Sequence, residues 1–444
     1  MPPDEGRRPG RAGGSRVSGL VVLLLGGIVL VALGGILLAR ELTPLAAAAG
    51  GAVAAERIDV TAPAVAIQTV GGFGADSAAA AEPLASSADG DRAVAAVLTD
   101  LQTYWSEELS TDGGPGLRSP AGGYFSMDSS ASTGSALCIS DPAFIAGNAY
   151  YCPQGDGIVF DSSALVPVLL GSYGSAGLAA AFAHEFGHAV QAQIGPTPSE
   201  RQQDPDRYPS ILIEAQADCD AGAFLAWAAA GHSERVHLPP ASLVRAVAPL
   251  LDFRDPATVS PADATAHGLG LDRLTAILRG YRDGGGSCQR MTTDDLETTL
   301  GRQGVTTSPP STLARYSSTS DALDAAATSV NDFAAGLGLA NPGVSSASAA
   351  PSDLALATPL GQFAAGAAVA SAAGESITAN AVGAACFTGA WTASVFGHAG
   401  VDQLGSWPTD ADEALDLIRG RPGASFDELA GFADGFAQGW GACG

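Results

Sequence analysis

The sequence predicts a mainly α protein with a small β element, an α+β fold. Alanine and glycine are abundant and aromatics few, a composition suited to helices packed through small residues. Apolar residues recur at helical spacing, as in Val97, Leu98, Leu101, Tyr104 and Trp105. Gly157-Ile-Val-Phe-Asp161 reads as a short strand. The length of 444 residues suggests two or three domains. Against 46 acidic residues stand 21 basic ones, every one an arginine, for a formal charge of −25. That balance argues against a nucleic-acid partner, whose phosphates would be repelled, and it fits a soluble exported domain.

Residues 1–18 are polar and basic, with Arg7, Arg8, Arg11 and Arg16. Gly19 to Ala39 then runs without a charge, long enough to cross a bilayer as a helix. It exceeds the apolar core of a cleaved signal peptide, about 7–15 residues. The expectation is a single uncleaved transmembrane helix in the cell membrane. The preceding arginines place the N-terminus in the cytoplasm and the bulk of the chain outside it. Residues 40–90 read as an Ala/Gly/Ser-rich tether, partly ordered around Ile58–Ile67.

A helix over Ala93–Leu109 opens the region 91–300, its apolar stripe assigned to core packing. Residues 110–157 are turn-rich and hold Cys138 and Cys152, which could close a short loop. The strand at 157–161 is a candidate edge strand beside an active-site helix, able to pair with an extended substrate. Six cysteines, an even number with no Cys-x-x-Cys, favour disulfides over a cysteine zinc site.

The chemistry concentrates in the next helix, expected from about Ala176 to Ile194 and stopped by Gly195-Pro196. It carries His184-Glu185-Phe186-Gly187-His188. Residues four apart share a helix face, so His184 and His188 can present two imidazoles to one metal ion. Glu185, one step round, can handle the water that the metal activates. A catalytic zinc site needs a third protein ligand and a position left for water. Glu214 is the best candidate, on a further helix that opens at Pro209-Ser210, with Ser210 as N-cap, and runs to about Ala230. Asp218 lies one turn later on the same face, where it could accept a hydrogen bond from the free ring nitrogen of His184 or His188. An acidic pair beside Ile211-Leu212-Ile213 would be costly to bury without such partners. With Zn2+ as cofactor, Glu185 would take a proton from water and deliver it to the leaving amine of a cleaved peptide. The oxyanion donor is open among His232, His237, His267, Arg273 and Tyr208. His267, just before a helix in His267-Gly-Leu-Gly-Leu-Asp272-Arg273, is the first choice; a purely structural histidine is the alternative.

Residues from about 90 to 288 resemble the neutral zinc metallopeptidase family, membrane-anchored bacterial proteins of the zincin type. The matching pieces are the Val97–Leu109 helix with Trp105, Tyr151-Cys152-Pro153 before a strand ending in Asp161, and His184-Glu-Phe-Gly-His188-Ala-Val-Gln191. Glu214-Ala-Gln-Ala-Asp218-Cys219-Asp-Ala-Gly222, His267-Gly with Arg273, and Gly280-Tyr281 leading to Cys288 complete them. The resemblance implies His184, His188 and Glu214 as metal ligands, Glu185 as catalytic base, and a peptide or protein substrate that it does not specify. Two departures, an extra residue before Asp156 and Ala215 in place of a usual leucine, leave the chemistry untouched.

Residues 301–444 show an internal echo of that region. Phe363-Ala-Ala-Gly366-Ala367-Ala368-Val369 can be laid on His184 to Val190. Ala385-Cys386-Phe-Thr-Gly389-Ala-Trp391 lies on Asp218 to Phe224, and Phe426 to Cys443 on Leu271 to Cys288. Every metal position is lost: Phe363, Ala364, Ala367, Ala381 and Ala385 face His184, Glu185, His188, Glu214 and Asp218. A degenerate repeat without metal ligands follows as an expectation, possible intramolecular pairing of the two copies with it. So do disulfides Cys219–Cys288 and Cys386–Cys443, leaving Cys138–Cys152, with reduced buried thiols as the alternative. Residues 301–312 and 341–352 read as linkers or surface loops. The function expected from the whole is a membrane-anchored zinc-dependent peptidase. A non-catalytic envelope binding or scaffold protein with a structural metal site is the competing class, and a non-peptidic metallohydrolase a third.

Overall fold

The computed structural model describes residues 56–70, 87–110, 116–296, 316–397 and 404–443. The basic N-terminal stretch, the Gly19–Ala39 run and the 301–312 segment lie outside the described residues. The fold is mainly helical with a small sheet, as expected.

Helix α1 (Ser87–Ser110) buries Val94, Val97, Leu98, Leu101 and Trp105 on one face. It begins six residues before the expected start at Ala93, in a polar first turn that periodicity does not register. Strands β2 (Ile67–Val70), β3 (Gly123–Met127), β4 (Ala149–Cys152) and β5 (Gly157–Asp161) form a sheet of order β2-β3-β5-β4, in which only the β4–β5 pair is antiparallel. A two-stranded ribbon joins β1 (Arg57–Ile58) to β6 (Val236–His237). Two expectations change here. Residues 56–70, read as a tether partly ordered around Ile58–Ile67, belong to the fold through β1 and β2, whose two and four residues are too few to show alternation. The sheet's edges are β2 and β4, and the edge strand beside the helix that carries the histidines is β4, not Gly157–Asp161. All five residues of β5 are buried, as suits a strand flanked on both sides.

A short helical turn at Leu165–Val168 and a π-turn at Leu169–Tyr173 lead into α2 (Gly174–Ile194). The run Leu165–Ile194 is long and apolar enough to cross a bilayer, yet half of its most apolar window is buried within the fold. Helix α3 (Ser210–Ala229) is buried on nearly every side, between α2 and α5 (Gly270–Asp283). Its N-cap position is Pro209, and Ser210, expected to be the cap, is the first helical residue and makes no capping bond. Helix α4 (Leu243–Asp252) packs on α2.

Helices α6 (Thr319–Gly336), α7 (Pro351–Leu360), α8 (Gln362–Ile377), α9 (Ala381–Val395), α10 (Asp410–Arg419) and α11 (Phe426–Gln438) make the C-terminal half. Its interfaces parallel those of the first: α2–α3, α3–α5 and α2–α4 have counterparts in α8–α9, α9–α11 and α8–α10. The tightest crossings correspond residue by residue. A Cβ on Gly222 would stand 2.0 Å from the Ile277 carbonyl oxygen, and one on Gly280 1.7 Å from that of Cys219. At Gly389 and Gly435 the same test meets the Phe432 and Cys386 carbonyl oxygens, each at 2.0 Å. Only glycine lets these backbones approach so closely. The disulfides are the three expected, Cys138–Cys152, Cys219–Cys288 and Cys386–Cys443, the last two with the same Cα separation of 5.5 Å. Buried apolar residues of both halves join in one contiguous core.

Candidate metal centre

The metal centre is built where α2 and α3 cross. Gly187, between the two histidines, makes the crossing close: a Cβ there would stand 3.0 Å from the Ala217 Cα. The approach brings Glu214 on α3 against the face of α2 that carries His184 and His188. Nε2 of His184 is 3.2 Å and Nε2 of His188 3.5 Å from the same oxygen, Oε2 of Glu214. All three donor atoms lie within 4.8 Å of one another. Tetrahedral zinc with bonds of about 2.0–2.1 Å holds its ligand atoms ~3.3 Å apart, so two of the three spacings already match.

The outer partners fix which ring nitrogens face the centre. Nδ1 of His184 lies 2.8 Å from Oδ1 of Asp218. Nδ1 of His188 lies 3.1 Å from Oε1 of Gln191, an oxygen that also accepts from Arg201 Nη2 at 2.8 Å. Because both partners are acceptors, each Nδ1 carries the proton and each Nε2 turns a lone pair inward. Three acceptor atoms thus converge with no donor between them. Oε2 of Glu214 is buried and lacks a hydrogen bond of good geometry. A cation satisfies this arrangement; without one, protons must. Burial disfavours a charged His184, but Asp218 and Glu214 outweigh it and push that imidazole up to about 10. Burial likewise disfavours the Glu214 carboxylate, yet the imidazoles of His188, His267 and His184 hold it well below the ordinary range. The residues fit zinc by donor type, spacing and unmet coordination.

Asp218 is wholly buried and is gripped by Arg273 through two bonds, Nε to Oδ2 at 2.8 Å and Nη2 to Oδ1 at 2.7 Å. The guanidinium overcomes burial and lowers the Asp218 carboxyl. The open choice between His184 and His188 as the partner of Asp218 is thereby settled for His184. Arg273, one of the oxyanion candidates, is a partner of Asp218.

Glu185 is partly buried beside the centre. Burial raises its carboxyl above the ordinary range, against the lowering pull of the two imidazoles and of the Tyr151 backbone N–H on edge strand β4. His267 approaches from the loop before α5, its Nε2 3.8 Å from Oε2 of Glu214. Asp255 anchors that loop, its Oδ2 accepting the backbone N–H groups of His267 and Gly268 at 2.6 and 2.8 Å. Burial lowers the His267 imidazole, but Glu214 and Asp255 prevail and raise it. The other oxyanion candidates stand elsewhere: His232 beside Trp227, His237 in β6, and Tyr208 against the Cys219–Cys288 cluster.

Sequence reading missed the roles of Gln191, Arg201 and Asp255. Gln191 follows His188 by three residues, a same-face spacing that could have revealed it. Arg201, in the short helix Pro198–Gln203 that follows α2, and Asp255, between α4 and α5, carry no local signal.

The sequence model of the family described as “Putative neutral zinc metallopeptidase” matches residues 6–284, more than half of the chain. No curated protein and no solved structure matches. The match spans the whole centre, stops within residues of the end of α5, and leaves α6–α11 outside it. The chain belongs to this neutral zinc metallopeptidase family, and its cofactor is zinc.

Proposed function

We propose that the protein is a zinc-dependent peptidase, anchored in the cell membrane by the Gly19–Ala39 segment with its folded part outside the cytoplasm. The observation that carries the chemistry is the convergence of His184 Nε2, His188 Nε2 and Glu214 Oε2 with Glu185 alongside. Zinc held there supplies a Lewis acid that polarises a scissile carbonyl and makes water a nucleophile near neutral pH. Glu185 accepts the proton that the water loses as its oxygen bonds to the carbonyl carbon. When the C–N bond breaks, Glu185 delivers that proton to the leaving amine. A carboxyl raised above the ordinary range suits both transfers. His267, whose Nε2 stands 3.8 Å from Oε2 of Glu214, is the residue we assign to the oxyanion. The free edge of β4, beside Glu185, offers backbone groups to an extended peptide.

Glu185→Gln tests this. Zinc content measured on the purified protein should be unchanged. Chelator-sensitive cleavage of an unfolded protein substrate should fall by roughly 10²–10⁴-fold. His267→Ala should lower kcat with little change in KM. Unchanged cleavage by Glu185→Gln would remove Glu185 as base and the peptidase reading with it.

A further inference from the structure

We propose that the C-terminal half is a metal-less repeat whose work is to position the active site, through Asp412 seated on the start of α5. The reading of that site as a peptidase centre is assumed only for the activity arm of the test.

The repeat rests on corresponding elements. Helices α4 and α10 are both ten residues long, and α10 begins 167 residues after α4, the interval that also separates Cys219 from Cys386 and Gly222 from Gly389. Where the first half has His184 and Glu185, the second has the start of α8. Glu413 accepts the backbone N–H groups of Phe363 and Ala364 at 3.1 and 3.2 Å, and Phe363 stacks on Trp391. That position is filled by an aromatic side chain and a capped helix end, so no ion has a place there.

What the second half contributes is a surface against α5. The Asp412 carboxylate is wholly buried and accepts both Gly270 N–H and Leu271 N–H, each at 2.8 Å. It also pairs with Arg254, which reaches Asp416 as well. Gly270 has no side chain to spare: a Cβ would stand 3.1 Å from Arg254 and 3.2 Å from Asp412. Both segments that Asp412 holds lead directly to the metal centre. Arg254 precedes Asp255, which anchors the His267 loop. The first turn of α5 ends in Arg273, which fixes Asp218 and through it His184. At the far end of α5, Arg282 forks onto Asp434 at 2.8 and 2.7 Å, an exposed contact remote from the zinc ligands. Asp412 is thus a positioning residue, and the rim pair is an internal control.

The test uses the full-length chain with Co2+ in place of zinc, so that visible absorption reports ligand geometry. Asp412→Ala should alter the Co2+ spectrum and weaken zinc retention against a chelator by roughly 10–100-fold. It should lower kcat more than it changes KM, and Asp412→Asn, which keeps one acceptor, should restore part of each loss. Asp434→Ala should leave the spectrum and kcat as they are. If Asp412→Ala does not fold, Asp412→Asn carries the same comparison with Asp434→Ala at smaller amplitude. A folded Asp412 variant with unchanged spectrum, zinc retention and kcat overturns the proposal. A changed spectrum in a protein that cleaves nothing, wild type included, keeps the positioning role and removes the peptidase reading instead.

Discussion

The Asp218–Arg273 pair gives the most demanding test of how this centre is held. Both groups are buried, at 0% and 3% exposure, and are joined by two bonds of 2.8 and 2.7 Å. Arg273→Met leaves the Asp218 carboxylate with His184 as its remaining side-chain partner. Asp218→Asn leaves the guanidinium facing a neutral amide and the Phe253 carbonyl. Removing one partner of a buried pair costs about 3–5 kcal/mol, because the other charge stays behind uncompensated. The double variant buries neither charge and should be more stable than either single one, a coupling of at least about 3 kcal/mol. Zinc binding should behave differently. The contact from Asp218 to His184 Nδ1 raises the basicity of that ligand, so Asp218→Asn should weaken zinc by roughly 10–100-fold. The double variant should recover stability without recovering affinity. Urea unfolding of the metal-free chain measures the first quantity, and competition with a colorimetric chelator the second. Single costs that add to within about 0.5 kcal/mol would refute the coupling, and unchanged zinc affinity in Asp218→Asn would refute the tuning of His184.

Two further outcomes are expected. Gly222→Ala and Gly389→Ala each place a Cβ 2.0 Å from a backbone carbonyl oxygen, and each should cost about 1–3 kcal/mol or more in thermal unfolding; a loss below half a kcal/mol in either would mean that the two crossings are not equally tight. Asp220 is wholly buried, and burial raises its carboxyl well above 3.8, with Gln289 the one side-chain donor to it among the described residues. A raised folded-state value means that its contribution is full below the ordinary carboxyl range and is lost as pH rises through the folded value. Asp220→Asn should therefore stabilise the protein at neutral pH, by about 1.4 kcal/mol for each unit of upward shift. A melting temperature that shows no such gain, and the same pH slope as wild type, would contradict that assignment.

The helices were legible where their buried face is long. The stripe Val97 to Trp105 announces itself by period, whereas α2 and α3, apolar on most sides, are marked by their boundaries, Gly195-Pro196 after the one and Pro209-Ser210 before the other. Legibility fails where an element is short or its signal is polar. In Ala/Gly/Ser-rich surroundings strands as short as β1 and β2 show as no more than partial order around Ile58–Ile67, the first turn of α1 is polar, and an apolar pentapeptide such as β5 does not declare its neighbours. The disulfides followed from the register of the echo between the two halves, since the cysteines travel with the glycines that set the helix crossings.

The candidate ligands His184, His188 and Glu214 are readable from local spacing, and the structure brings their donor atoms within 4.8 Å of one another. His184, Glu185 and His188 share one helical turn, and Glu214 and Asp218 share another, so helix geometry alone fixes each group internally. It could not determine how one group faces the other, because that depends on a crossing made close by Gly187 and on partners far along the chain. Tertiary structure decided that Asp218 serves His184, that Gln191 with Arg201 serves His188, and that Arg273 is a buried counter-charge. Each of these is a contact between separate elements, whose energy comes from burial and pairing that no local spacing encodes.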